Sequence, residues 1–404
     1  MVFGTSCATE ITPEWNVTMS SLVDACQDSA RYAGNVYFVQ DTSVAAQDRV
    51  VRENSMTPLN PESILIVRPS ALGDVCRTVP VLVSLKGKWP DARTGWLVQD
   101  NFVEAVSAHP CLDEVIPFPR SRMRSAWRSP KRMREVLGFL RTLQRSNWDL
   151  VLDCQGLARS SLFSRLSGSS RRVGFSDARE FGWLMMTDRV PTVSTHIVDR
   201  TMELVAHLGG EDKPDMRLHA PPECVEGWEA SHLRPESAYV VLAPRSRWGT
   251  KEWPMNKWRG LIEGLAARGH RDFVLVGSHE ERDSLEGLIG ALDMRDGPRV
   301  VSMAGRTTVG DLMAIIRSAA LVVANDSAAL HVAVGFSRPM VGLFGPTDPR
   351  EVGPYGALDQ VIRHADARGS GHDYRSRSGP MDSMDRITVP EVLDRAIEVL
   401  EPGA

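Results

Sequence analysis

Ile64-Leu-Ile-Val-Arg-Pro-Ser-Ala-Leu-Gly-Asp74 is the stretch that decides the architecture. Its first four residues are an unbroken apolar run, mostly β-branched, as in a strand buried on both faces. A loop containing Pro69 follows. Gly73 then permits a close approach of backbone to a ligand. Asp74 stands where a helix begins, a place where the helix dipole favours a carboxylate. Strand, short loop and helix are the repeating unit of a parallel sheet covered by helices. Asp74 has two open readings here: a helix cap, or a reactive carboxylate presented just beyond a strand. Pro80 either starts the regular helix or kinks it.

The alternation continues outward from this unit. Trp96-Leu-Val98, Leu150-Val-Leu-Asp153 and Arg172-Val-Gly174 read as further strands. Five more follow: Tyr239-Val-Val-Leu-Ala243, Phe273-Val-Leu-Val-Gly277, Val300-Val-Ser-Met303, Leu321-Val-Val-Ala324 and Met340-Val-Gly-Leu-Phe344. Helical patterns separate them, as over 258–268 and 309–317. The Pro-rich stretch Glu211–Glu236 interrupts the series. The expected organisation is an extension over 1–60, one doubly wound domain over 61–220, a linker over 221–236 and a second domain over 237–404. Ligands of such sheets bind beyond the carboxyl ends of the strands.

Residues 1–60 carry seven acidic against three basic residues and weak periodicity, with one short helix conceivable from Val17 to Ala33. They are expected to be poorly ordered. An alternative reading is that Met56 is the natural start, because regular structure begins eight residues later.

The 404 residues carry a net charge of −4, with 42% hydrophobic and 24% charged residues, an ordinary globular composition. The six cysteines show no C-x-x-C spacing. A disulfide framework or structural zinc is not expected, and a reducing cytosol fits. No apolar run reaches the roughly 20 residues a membrane span needs, and no secretory signal is recognisable.

The loops after the strands hold the chemistry. Ala243-Pro-Arg-Ser-Arg-Trp-Gly-Thr-Lys-Glu-Trp-Pro254 offers Arg245, Arg247 and Lys251 with backbone N–H groups, a set suited to phosphate. Asn325-Asp-Ser327 opens a helix whose free N–H groups form an anion site. Asp326 reads as an acceptor for sugar hydroxyls or an N-cap, and His331 lies one turn on. Gly345-Pro-Thr-Asp-Pro349 is a tight turn from which Thr347 reaches a cleft. Between Arg120 and Arg145 nine cations stand against one acid, Glu135, too skewed for an ordinary solvated face. A polyanionic partner is expected there, or an anionic membrane surface. No nucleic-acid motif accompanies the run. G-x-G-x-x-G, the P-loop motif and Asp-x-Asp are all absent. A diphosphate would have to be met by Lys251, arginines and helix starts rather than a carboxylate-held metal.

Together these loops resemble glycosyltransferase family 9, the bacterial ADP-heptose:lipopolysaccharide heptosyltransferases, over about 64–400. The segment 64–75 with Thr78-Val-Pro80 is similar to the family's opening. Lys251-Glu-Trp-Pro254, Asn325-Asp-Ser327 with His331, and Phe344-Gly-Pro-Thr-Asp-Pro349 resemble its donor-side motifs. Asp153-Cys-Gln-Gly-Leu157, Arg159-Ser160, Arg172-Val-Gly174, Ala178-Arg-Glu180 and Arg124-Ser-Ala-Trp127 look most like the type I enzyme, which adds the first heptose to Kdo-lipid A.

The resemblance implies a GT-B fold, two Rossmann-like domains facing across a cleft. It implies inversion at the sugar, no metal or cofactor, and a cytoplasmic enzyme peripheral to the inner membrane. It makes Asp74 the general base. It assigns Arg68, Lys251, Glu280, Asp326, Ser327, Ala328 and His331 to the ADP-heptose donor, and Arg120, Arg122, Arg124, Arg159 and Arg179 to the acceptor. Three positions depart from the family pattern: Arg68 stands where Lys is frequent, Ala328 where Gly is usual, and Ser125 where a base can stand. The competing readings are a family 9 transferase with another acceptor position or nucleotide sugar, and a non-catalytic carbohydrate-binding protein.

Overall fold

The computed structural model describes residues 60–125, 128–292, 297–364 and 382–401. The expectations for the extension, the Val17–Ala33 helix, the Met56 start and Trp127 lie outside these residues. The first lobe runs β1 (Ser63–Val67), α1 (Leu72–Lys88), β2 (Arg93–Gln99), β3 (Glu114–Phe118), α2 (Arg120–Arg124), α3 (Pro130–Arg145), β4 (Leu150–Asp153), α4 (Ala158–Leu166), β5 (Arg171–Phe175), β6 (Asp188–Val190) and α5 (Ile197–His207). After it come α6 (Pro222–Glu229), β7 (Tyr239–Ala243), α7 (Met255–Ala266), β8 (Asp272–Leu275), α8 (Arg282–Gly290), β9 (Arg299–Ser302), α9 (Val309–Arg317), β10 (Leu321–Asn325) and α10 (Ala328–Gly335). The series closes with β11 (Met340–Phe344), α11 (Pro349–Val352), β12 (Val361–Arg363), α12 (Asp382–Arg386) and α13 (Val389–Leu400).

The strands form two six-stranded sheets, ordered β3-β2-β1-β4-β5-β6 and β12-β11-β10-β7-β8-β9. Every pairing is parallel. Counted from its own first strand, each sheet has the doubly wound order, whose direction reverses between the first and fourth strands. Those switch points are β1/β4 and β7/β10. The loops singled out above at Arg68–Asp74, Asp153–Leu157, Ala243–Pro254 and Asn325–Ser327 all leave those four strands.

All five residues of β1 are buried, as a central strand covered on both faces requires. Burial of each large aliphatic side chain there contributes on the order of 1.5–3 kcal/mol. Phe139 and Leu143 of α3 and Phe163 of α4 pack together on one face of the first sheet, against Leu65, Val67, Leu97 and Phe118. The C-terminal α13 completes the second core through Val392, Leu393 and Ala396.

Three strands escape the periodicity argument, and all three lie at sheet edges. β3 contains Pro117, which an edge strand tolerates because one side needs no ladder. β6 and β12 have three residues each, too few to show alternation. One local expectation needs correction. Pro80 lies inside α1, which starts at Leu72, so it does not begin the helix. The Pro-rich stretch contains α6, which Trp228 ties to the second lobe. Its Nε1 donates to Tyr239 Oη at 2.8 Å, and that hydroxyl donates to the Ile315 carbonyl at 2.8 Å.

The lobes meet through specific bonds. Gly310 N donates to Glu104 Oε2 (2.7 Å), Leu218 N to Gly335 O (2.9 Å), and Tyr355 Oη to Asp199 Oδ1 (2.6 Å). Among the described residues, no helix is long and apolar enough to cross a membrane.

Candidate active site

Asp74 is the third residue of α1 and does both things its position allowed. Its Oδ2 accepts the Ala71 N–H at 3.1 Å, closing the first turn. Its Oδ1 faces Arg68 Nη2 at 3.1 Å and also pairs with Arg77. Burial works to raise the Asp74 pKa, but the two guanidiniums and the Ala71 N–H outweigh it and hold the carboxyl well below the usual range. Arg68 is buried, with Nη1 donating to the Cys154 carbonyl at the end of β4. It therefore stands at the β1/β4 switch point, against Asp74.

Arg77 was not singled out from the sequence. It is buried, one turn beyond Asp74, and donates to the carbonyl of Val352 in the second lobe. The nearby His331 is buried with Nδ1 unpartnered. Burial first, then Arg77, His196 and Lys251, push its pKa well below the ordinary value against the pull of Asp74, so the imidazole is neutral. His331 thus lies within electrostatic reach of both Asp74 and Lys251. Gly73 also makes room for a neighbouring element. A methyl there would come within 2.7 Å of His331 Cδ2, so what the glycine admits is α10.

On the second lobe, Lys251 Nζ pairs with Asp326 Oδ2 at 2.6 Å, both side chains about nine-tenths buried. Asn325, fully buried, fixes their separation. Its side chain donates to the Pro244 carbonyl at 2.6 Å and accepts the Trp253 N–H at 3.1 Å, tying the β7 loop to the end of β10. Glu252 orders the same loop through Arg245 (2.8 Å) and the Ser246 N–H (3.0 Å). Ser327 is the N-cap of α10 yet makes no side-chain capping bond. The α10 start, including Ala328, thus has no cap from the Ser327 side chain, and in its first turn the Leu330 N–H turns back to the Ser327 carbonyl at 3.3 Å. Glu280 is exposed in the turn after β8, on the strand beside β7.

The five arginines that the resemblance assigns to an acceptor all follow β3, β4 or β5 at the carboxyl ends of the first sheet. Arg120 donates to Gln99 Oε1 at 3.2 Å. Arg122 is already paired with Asp100 (3.2 Å) and Glu135 (3.5 Å). Arg124 is exposed at the end of α2. Arg159 lies over the Phe118 ring at 5.6 Å, and Arg179 follows β5. Asp153 is fully occupied in ordering this rim. It accepts the Gln155 and Gly156 N–H groups and the Ser160 and Ser161 hydroxyls at 2.7–3.1 Å.

Ten buried side-chain polar atoms lack a partner among the described residues, and seven belong to Arg68, Arg77, Gln155, Arg245, Ser327, His331 and Thr347. All seven follow β1, β4, β7, β10 or β11 at the carboxyl ends. Buried polar groups are normally satisfied, so their concentration singles out the carboxyl ends of the strands as the place where a polar ligand would find partners. Among the described residues no group of three or more His, Cys, Asp or Glu is arranged to hold a metal.

Comparison with known proteins points the same way. A sequence profile for glycosyltransferase family 9 (heptosyltransferase) matches residues 136–379. Lipopolysaccharide heptosyltransferase 1 of Salmonella typhimurium is 30% identical over 298 residues, which cover 72% of this chain and 91% of that protein. Its counterpart in Escherichia coli K12 is 29% identical over 304 residues, covering 74% and 93%. The solved structure of E. coli heptosyltransferase WaaC with ADP-2-deoxy-2-fluoro heptose is similar at a TM-score of 0.65 and 27% identity, covering 82% of this chain and 98% of that one. These matches share the two-sheet GT-B architecture described above.

Proposed function

The chain belongs to glycosyltransferase family 9, and from that premise we propose that it moves heptose from ADP-heptose to the Kdo-lipid A inner core of lipopolysaccharide, with inversion and without a metal ion. One observation carries the reading. A carboxylate at the β1/β4 switch point, Asp74, shares a neighbour, His331, with the Lys251–Asp326 pair at the β7/β10 switch point. The names of the relatives and the ADP-heptose analogue in the E. coli structure support it.

In this reading residues 61–220 hold the acceptor and 237–404 the nucleotide sugar. The acceptor hydroxyl gives its proton to Asp74 as its oxygen bonds to the anomeric carbon. The bond from that carbon to the diphosphate breaks on the opposite face, and ADP leaves with the electron pair. A positioned base contributes roughly 10²–10⁴-fold. The developing charge on ADP is met by Lys251, the α10 start at Ser327 and Ala328, and the neutral His331, a contribution that is commonly larger. Glu280 takes the ribose and Asp326 the heptose hydroxyls. Arg68 stands close enough to Asp74 to orient whatever anion meets the base. Arg120, Arg122, Arg124, Arg159 and Arg179 receive the acceptor's phosphates and carboxylates. The reaction takes place at the cytoplasmic face of the inner membrane, and no nucleic acid takes part.

Incubation with ADP-heptose and Kdo-lipid A, with and without a chelator, tests this directly. The expected result is a product heavier by one heptose in both samples. Absence of product would refute the reading, and loss with chelator would refute metal independence. A parallel screen of ADP-, GDP- and UDP-sugars separates it from a family 9 transferase with another donor.

A further inference from the structure

The basic run is only partly used by the acceptor rim. Residues 120–190 contain fifteen Arg and Lys against six Asp and Glu. The acids are engaged: Glu135 by Arg122, Asp188 by Arg171, Asp177 by Arg200, Glu180 by the Ala158 N–H, Asp149 by the Ser63 N–H at the start of β1, and Asp153 by groups of its own loop. Of the cations of α3, Arg132 donates to Ser125 Oγ at 2.8 Å, and the others lie on the outer face. Val136, Phe139 and Leu143 bury one face of that helix. At 100° per residue, Lys131, Arg134, Leu137, Arg141 and Arg145 fall within about 120° on the opposite face. All five are exposed, and the four cations form no ion pair among the described residues.

Apolar side chains stand in the same layer. α3 and α4 cover one face of the first sheet through Phe139, Leu143 and Phe163. The turn Gly182–Met185 sits against α4, where a methyl on Gly182 would meet Ser161 Oγ at 2.7 Å. Only five large hydrophobic residues are exposed among the described residues. Three belong to this layer: Leu137 at 41%, Phe181 at 72% and Leu184 at 58%.

We propose that the outer face of α3, together with Phe181 and Leu184, is the surface by which this protein lies on an anionic lipid bilayer. Length favours a surface over a single head group: Lys131 to Arg145 spans about 21 Å of helix. Mixed cations and exposed apolar groups are the chemistry of interfacial binding, the cations meeting lipid phosphates and the apolar groups entering the head-group layer. The stripe starts next to Arg120–Arg124 and runs back along the sheet, so the docked lobe keeps its cleft mouth at the lipid level. The proposal rests on the transferase reading only for the reason docking is useful.

Co-sedimentation of the full chain with vesicles tests it. Binding is expected to vesicles of phosphatidylcholine containing phosphatidylglycerol, absent with phosphatidylcholine alone, and reversed by salt. The variant Arg134→Gln/Arg141→Gln/Arg145→Gln should bind at least about tenfold more weakly, and Phe181→Ser/Leu184→Ser should also lose binding. Both variants should transfer heptose to a de-acylated, soluble acceptor at the wild-type rate. Equal binding by the triple variant, no wild-type binding to the anionic vesicles, or retention on duplex DNA without vesicle binding would overturn it. Vesicle binding is read without turnover, so it decides this surface even for a chain that transfers no heptose.

Discussion

A carboxylate flanked by two guanidiniums is a weak proton acceptor as it stands. Asp74 is held ionised by Arg68 and Arg77, so the proposed base is unprotonated at every working pH but has little affinity for the proton. Acceptor anions that draw Arg68 away would raise that affinity at the moment it is needed. The sign can be tested with Arg77→Met. Losing a nearby positive charge raises the Asp74 pKa, so an acid limb absent from wild-type kcat/KM should emerge and move toward neutral pH. A pH–rate profile of the two proteins checks this, and coincident profiles would remove Arg77 from the electrostatics of the base. Asp74 and Lys251 could be found from local sequence because loop chemistry follows directly from their neighbours. Arg77 could not, and Asn325 was visible as part of a motif but not as the brace between two loops. Their partners are 275 and 81 residues away, and nothing in a short window reveals them.

At the level of elements, the contact of α1 with α10 brings the two lobes' chemistry together. It depends on Gly73 lacking a side chain, since the buried His331 ring occupies the space. Gly73→Ala would normally favour a helix by up to about 1 kcal/mol. Here overpacking of about 1–3 kcal/mol should win, lowering both Tm and turnover. The double variant Gly73→Ala/His331→Ala should recover part of the lost Tm, as a thermal melt will show. No recovery would mean that the ring is not the obstacle. Sequence reasoning identified both residues but assigned Gly73 to a ligand, because helix packing across lobes leaves no periodic trace. It likewise located every central strand and missed only edges, where a buried face no longer dictates composition.

For the whole molecule, buried histidines set the response to acid. Burial lowers His109 to about 4, with His219 adding to the effect, and burial also lowers His196 and, more strongly, His331. Unfolded, each takes up a proton near pH 6.5. The unfolded chain therefore binds more protons below that pH, and stability must fall as pH drops from 7 to 5. Asp153, raised by burial, works the other way. The depressed carboxylates, Asp74 included, lose their contribution only at lower pH. A lower Tm at pH 5 than at pH 7, with a smaller difference in His109→Gln, is expected by calorimetry. The two-sheet architecture follows from hydrophobic alternation, whereas the engagement of the lobes depends on single contacts such as Gly310 with Glu104. The central claim, that Asp74 takes the acceptor proton across this cleft, is tested most directly by measuring turnover and donor affinity together in Asp74→Asn. That change keeps the size of the side chain and an acceptor oxygen for the Ala71 N–H, but leaves no base. Turnover should fall by roughly 10²–10⁴-fold with ADP-heptose affinity unchanged by calorimetry. Transfer at a near wild-type rate would contradict the account.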